Sequence, residues 1–212
     1  MRKKQYALIS LCLLSCFTLW TLAITSVDVR AIGPEGSSVG FAWLNGWIHG
    51  LTGVHIWMYT LTDRLSLIPM LFVLGFATLG LTQWIGRRSL LKVDRSILTL
   101  GGFYATVLGV YLFFEKCIVN YRPVLIEGRL EASYPSSTTV LIICVMTTAA
   151  MEFQNRIASP RTQQWINGII VTFTVFMVIG RLLSGVHWFT DIVGGILLSA
   201  GLVMLYSALA AK

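Results

Sequence analysis

Charge is absent from this sequence in long blocks, and that constrains the fold more than any other feature. Residues 5–27, 65–86, 96–114, 132–151, 162–180 and 192–211 contain no Asp, Glu, Lys or Arg, and each block is 19 to 23 residues long. A helix needs about 20 apolar residues to cross the hydrocarbon core of a bilayer. Only segments that satisfy their backbone hydrogen bonds internally can make that crossing. Composition agrees: hydrophobic residues make up 56% of the 212, charged ones 12%, and mean hydropathy is +0.76. A soluble domain carries about twice that charge. The expected fold class is all-α, a polytopic membrane protein with six transmembrane helices in a single domain over 1–212.

A seventh charge-free stretch, Gly36 to Thr62, holds glycines, Asn45, His49 and His55 between Trp43, Trp47, Trp57 and Tyr59. Glycine and polar side chains weaken a span, whereas Trp and Tyr suit the membrane–water boundary. It reads as an interfacial or re-entrant segment between helices 1 and 2. The amino-terminal apolar run continues well past Cys16, too far for a signal core, so it reads as a retained first helix. Cys12, Cys16, Cys117 and Cys144 show no pairing pattern, and neither disulfides nor thiolate metal sites are expected.

Six spans divide the basic residues unequally. Arg2, Lys3, Lys4, Arg87, Arg88, Lys92, Arg95, Arg156, Arg161 and Lys212 fall on one side, ten of the sixteen. Arg30, Arg64, Lys116, Arg122, Arg129 and Arg181 fall on the other. The richer side is expected to be cytoplasmic, with both termini inside, as in a multi-pass protein of a bacterial plasma membrane. The net charge of +7 follows from this topology and calls for no nucleic-acid partner.

Three polar blocks converge on the poorer side. "EKCIVNYRPV" brings Lys116, Asn120 and Arg122; "YPSSTT" brings Pro135, Ser136, Ser137 and Thr138; "GRLLSGVHWFTDIVGG" brings Arg181, Ser184, His187 and Asp191. His187 and Asp191 are four apart and would stack on one face of a helix. The carboxylate would then fix the imidazole tautomer and leave the other nitrogen nucleophilic. The same pair also reads as a cap on the last helix, complementing its dipole. Paired guanidiniums suit a phosphate, although arginines at a membrane face also snorkel to headgroups. Proline and small hydroxyls at a helix start expose free N–H groups that bind anions, or simply cap the helix.

Together the three blocks resemble the type 2 phosphatidic acid phosphatase superfamily, integral-membrane relatives of vanadium haloperoxidases. Its signature is Lys, six residues, Arg-Pro; then Pro-Ser-Gly-His; then Ser-Arg, five residues, His, three residues, Asp. The third block matches at Arg181, His187 and Asp191, with Gly180 in place of Ser. The resemblance implies that His187 is the nucleophile, forming a phosphohistidine, and that Asp191 orients it. It also implies that Arg122, Arg181 and the Ser136–Ser137 turn hold the phosphoryl oxygens, with no metal or other cofactor. Two departures stand out. Lys116, counted with Thr138 among the candidate phosphate-binding residues, lies one residue too close to Arg122, and the family's lysine position falls on Glu115. Thr138 stands where the family has the histidine that protonates the leaving group.

A missing general acid lowers the rate by about 10²- to 10⁴-fold, but the effect depends on what leaves. An alkoxide, with a conjugate-acid pKa near that of water at about 15.7, departs badly unprotonated. A phosphate monoester, with a second pKa of about 6, departs without help. The expected substrate is therefore a lipid diphosphate, such as a polyprenyl diphosphate, in preference to a phosphatidate. His49 or His55 is an alternative proton source. A lipid phosphotransferase and a catalytically impaired binder or translocator of lipid phosphates are the competing functions. An ion path is disfavoured, because the spans carry almost no charge.

Overall fold

The computed structural model describes residues 2–211; Met1 and Lys212, the latter counted above among the basic residues of the richer side, lie outside them. Among the described residues eight α-helices follow one another: α1 (Arg2–Ser26), α2 (Ala42–Thr52), α3 (Ile56–Leu65), α4 (Leu67–Arg87), α5 (Arg95–Lys116), α6 (Ser137–Arg156), α7 (Pro160–Leu183) and α8 (Phe189–Ala210). Six helical segments are long and apolar enough to cross a membrane, as the charge-free blocks require.

The stretch 36–62 departs from expectation. Only its first half is a separate surface helix, α2, which ends at Gly53, where φ is +66°. Its second half becomes α3, which runs on through the single residue Ser66 into α4, so that Ile56–Arg87 counts as one 32-residue span. Ser66 keeps helical φ and ψ and its amide bonds back to Thr62 O, so the chain bends there without breaking.

Helices α1 and α8 run antiparallel and pack along most of their length. Ser10 Oγ donates to Gly201 O (2.8 Å) near one end and Trp20 Nε1 donates to Thr190 O (3.1 Å) near the other. Helix α6 lies beside α8, and the two are the most buried of the six. Their contact surface forms a core with Phe17, Leu100, Phe103, Val140, Cys144, Leu202 and Tyr206. Between helices in a bilayer such packing stabilises by van der Waals contact, since lipid is as apolar as leucine. The outward residues Leu8, Leu11, Leu71, Trp165 and Ile169 are each more than 60% exposed, a surface that only lipid can cover.

The chain direction alternates from span to span. The ends of α5 and α7 and the starts of α4, α6 and α8 therefore meet at one end of the bundle. The intervening segment 117–136 is pinned there by antiparallel bridges, Tyr121 with Ala132 and Ile126 with Arg129. Tyr134 then lies flat on α8: a Cβ on Gly194 would sit 2.4 Å from its ring.

Candidate active site

Each polar block is held by backbone bonds before any ligand is considered. Ser136 caps α6, its Oγ accepting from the Thr139 amide (3.5 Å) and hydroxyl (3.0 Å), and its own N–H donates to Asp191 O (3.1 Å). Asp191 is the third residue of α8. Its carboxylate accepts from Trp188 N (2.9 Å) and from Asn120 Nδ2 (3.2 Å). Trp188 Nε1 in turn donates to Tyr121 O (2.7 Å). The turn 184–188 is braced from outside by α2 and α3: His49 Nε2 donates to Gly185 O (3.2 Å), and His55 N donates to Ser184 O (2.9 Å). Gly185, at φ +67°, admits no side chain, because a Cβ there would lie 2.0 Å from Gly53 O.

His187 therefore sits in the turn ahead of α8 and not on it, which corrects the expected helical stacking with Asp191. The cap geometry still brings them close, with Nδ1 3.7 Å from Asp191 Oδ2, beyond hydrogen-bond length. On its other edge, Nε2 is 3.4 Å from Arg122 Nη1. A guanidinium only donates, so that contact requires a lone pair on Nε2 and leaves the ring proton on Nδ1, toward Asp191. Burial pushes the His187 pKa down to about 4; Arg122 and Arg181 add to the fall, and Asp191 opposes it. The imidazole is neutral at pH 7.

Arg181, 3% exposed, donates from Nη2 to Thr138 Oγ1 and to Asp63 Oδ1 (3.3 Å), and its guanidinium lies over the Tyr59 ring, 5.0 Å from the centroid. Its Nε and Nη1 are buried without a partner. Arg122 lies 6.0 Å from the same ring, with Nε 3.1 Å from Glu131 Oε2. These groups close the polar end of a cavity of about 750 Å³.

Of the residues expected from sequence, Arg122, Arg181, His187, Ser137 and Thr138 line this cavity. Asp191 does not line the cavity; it stands behind His187, its Oδ2 3.7 Å from Nδ1. Ser136 is corrected: it is fully buried, its hydroxyl caps α6, its amide donates to Asp191 O, and it does not reach the cavity. Lys116 is corrected too. It is the exposed last residue of α5, whereas Glu115 lines the cavity. One helical residue is about 100° of rotation, so a shift of one exchanges wall for surface. Thr138 is better described as a holder of Arg181 than as a phosphate ligand. Neither His49 nor His55 lines the cavity. Sequence reasoning named Asn120 in the first polar block but gave it no role, and it missed Tyr59, Asp63 and Glu131 as site residues, which carry no spacing that singles them out. Among the described residues, no group of three or more His, Cys, Asp or Glu is placed to hold a metal ion.

Fold and site together define a multi-pass helical membrane protein with a buried histidine between two arginines at one end of its bundle. A family model described as the PAP2 superfamily matches residues 70–212, about two thirds of the chain, and the protein belongs to that superfamily. The crystal structure of the first transmembrane PAP2 type phosphatidylglycerolphosphate phosphatase from Bacillus subtilis shares the fold. The TM-score is 0.65 over 93% of this chain and 94% of that one, at 16% identity. No curated protein sequence matches the chain.

Proposed function

We propose that this protein hydrolyses the terminal phosphate of a lipid phosphate, preferring a lipid diphosphate such as a polyprenyl diphosphate, through a phosphohistidine on His187. The observation that carries the reading is a neutral imidazole beside the Arg122 guanidinium, lining one cavity with Arg181, whose Nε and Nη1 are buried without a partner. A buried donor without an acceptor costs about 1–3 kcal/mol, and a phosphoryl group would supply the acceptors.

In the reaction the Nε2 lone pair attacks phosphorus. The N–P bond forms as the bridging P–O bond breaks, and the lipid monophosphate leaves with the electron pair. Arg181 and Arg122 take up charge on the phosphoryl oxygens, and such preorganised donors supply most of the catalysis in phosphoryl transfer. The amides of Ser137 and Thr138, in the first turn of α6, have no intrahelical acceptor and add to this cradle. Asp191 offsets the positive charge that develops on the imidazole. Water then attacks the phosphohistidine, the N–P electrons return to Nε2, and one water proton goes to the phosphate and one to solvent. No step needs a metal. The Thr138 hydroxyl, held by Arg181, is a poor acid, which is why a leaving group stable as an anion is preferred. We place this end of the bundle on the extracytoplasmic face, because ten of the sixteen basic residues belong to the other side.

Phosphate release by the purified protein in detergent with EDTA tests the reading. A polyprenyl diphosphate should turn over at least about 10-fold faster than a phosphatidate, given the value of a general acid, and His187→Ala should release nothing. Equal rates would remove the leaving-group argument. No turnover of any substrate above the His187→Ala background would leave a binder of lipid phosphates.

A further inference from the structure

Asp191 is fully buried, and among the described residues no arginine or lysine pairs with its carboxylate. A buried carboxylate needs donors in place of water. Oδ2 takes one from the Trp188 amide (2.9 Å), a bond made next to His187 in the turn that carries it. Oδ1 takes the other from Asn120 Nδ2 (3.2 Å), among the described residues the single side chain with a donor at hydrogen-bond length. An ionised carboxylate only accepts, so the amide nitrogen of Asn120 is the atom that faces it. Asn120 is itself held in place. It is 1% exposed, and its carbonyl accepts from Ser133 N (2.9 Å) and Ser133 Oγ (3.1 Å), beside the bridge that pairs Tyr121 with Ala132. Tyr121 O, one residue on, accepts the Trp188 indole N–H (2.7 Å). Two consecutive residues therefore clamp the segment before α6 to the start of α8.

Asn120 does not line the cavity, so a ligand there would not touch it. Its amide is neutral. It fixes the carboxylate without offsetting the charge, which a guanidinium in the same place would do. We propose that Asn120 is a positioning residue for the phosphohistidine step: bonded to Oδ1, it holds Asp191 with Oδ2 turned toward His187 Nδ1. As Nε2 bonds phosphorus, positive charge develops on the ring. The Nδ1–Oδ2 separation of 3.7 Å then shortens into a hydrogen bond, the proton staying on Nδ1. Without the Asn120 bond the carboxylate is free to turn about its Cβ–Cγ axis, whose torsion is broad, and Oδ2 leaves that line. This rests on the reading of His187 as the nucleophile and adds a residue to it.

The kinetics of phosphate release by Asn120→Leu test it. A hydrogen bond to a charged group is worth about 10- to 100-fold in rate, so kcat should fall by that factor. KM and inhibition by inorganic phosphate should stay within about two-fold of wild type, as for sites that do not touch. An Asn120 that merely supported its loop would displace Arg122, two residues on, and weaken phosphate inhibition with it. In Asp191→Ala protein the same substitution should cost no more than about two-fold, since no carboxylate is left to hold. An equal loss in both backgrounds, or weaker phosphate inhibition, overturns the proposal. If Asn120→Leu does not fold, Asn120→Ser, polar but too short to reach Oδ1, must give the same pattern. A second measurement does not need turnover. With isotopically labelled histidine, the Nδ1 proton resonance of His187, identified by its loss in His187→Ala, should move in Asn120→Leu and stay in Glu152→Ala. That shift in a protein whose wild type hydrolyses nothing would sink the catalytic reading and keep the Asn120–Asp191–His187 arrangement; hydrolysis with an unmoved resonance would do the reverse.

Discussion

The two ends of the bundle both bury charge, and they do it in opposite ways. At the end away from the site, Glu152 is 1% exposed and accepts from Tyr206 Oη (3.1 Å) and from Arg156 Nε and Nη2 (3.3 Å each). Arg156 also donates to Ser96 Oγ (3.4 Å), and Asp94 accepts from Arg87 Nη1 and Gln83 Nε2 (2.8 Å each). Those two bonds, with Arg87 first, hold the Asp94 pKa below its usual value. At the site end, by contrast, Arg181 buries Nε and Nη1 beside the cavity with no partner among the described residues, while Arg122 Nε has the Glu131 carboxylate at 3.1 Å and His187 Nδ1 has only Asp191 at 3.7 Å. A buried charge alone says little about function. Buried donors left open beside a cavity are what the proposed phosphate would satisfy.

The sharpest way to break this contrast is to make each end apolar. Arg181→Met removes two unpaired donors and an ion pair whose carboxylate, Asp63, is 57% exposed and can return to water. Replacing a buried ion by an apolar side chain of similar volume is often neutral or stabilising, whereas losing a transition-state donor lowers the rate by about 10²- to 10³-fold. Phosphate release should therefore fall by about 10³-fold while the unfolding temperature in detergent holds or rises. A marked loss of stability would show that Arg181 serves the fold.

Glu152→Ala should give the reverse pattern. It strands the Tyr206 hydroxyl and takes the carboxylate from Arg156, which is about one-third exposed. With one partner still in reach of water, the loss should be about 2 kcal/mol, below the 3–5 seen for fully buried pairs. Denaturation in detergent measures it, and kcat below the transition should match wild type. A fall in kcat without a loss of stability would link this end to the chemistry.

How far these roles were legible in the sequence follows the same divide. The spans were plain, because exclusion of charge is a property of continuous segments. Arg181 and His187 were picked out by their spacing within one block, although His187 was expected on the helix and lies in the turn ahead of it. Lys116 was misplaced because a helix end converts a one-residue offset into a different face, and Ser136 because a cap uses up the very groups that make it look like a ligand. In the sequence Glu152 only follows the charge-free block 132–151, yet it is among the buried side chains of α6. Tyr206 and Arg156, its partners, come together only through the packing of α6 on α8. Asp63 and Tyr59 were hidden for a similar reason: α3 reaches the site only because it continues into α4, which the glycines of the preceding stretch disguised.

Asp63 offers the finest distinction. Its carboxylate lies against Arg181, where it either orients the guanidinium or occupies ground that a phosphate must take. Asp63 lines the cavity and is 57% exposed, so the pair is solvent-screened and worth about 0.2–1 kcal/mol. If the carboxylate competes with phosphate, Asp63→Asn should strengthen inhibition by inorganic phosphate by about two- to five-fold. The gain should shrink as salt rises, since the Debye length falls from about 10 Å at 0.1 M to 3 Å at 1 M. If inhibition weakens instead, Asp63 steers Arg181 toward its ligand, and the site end would contain one satisfied charge that is there for function.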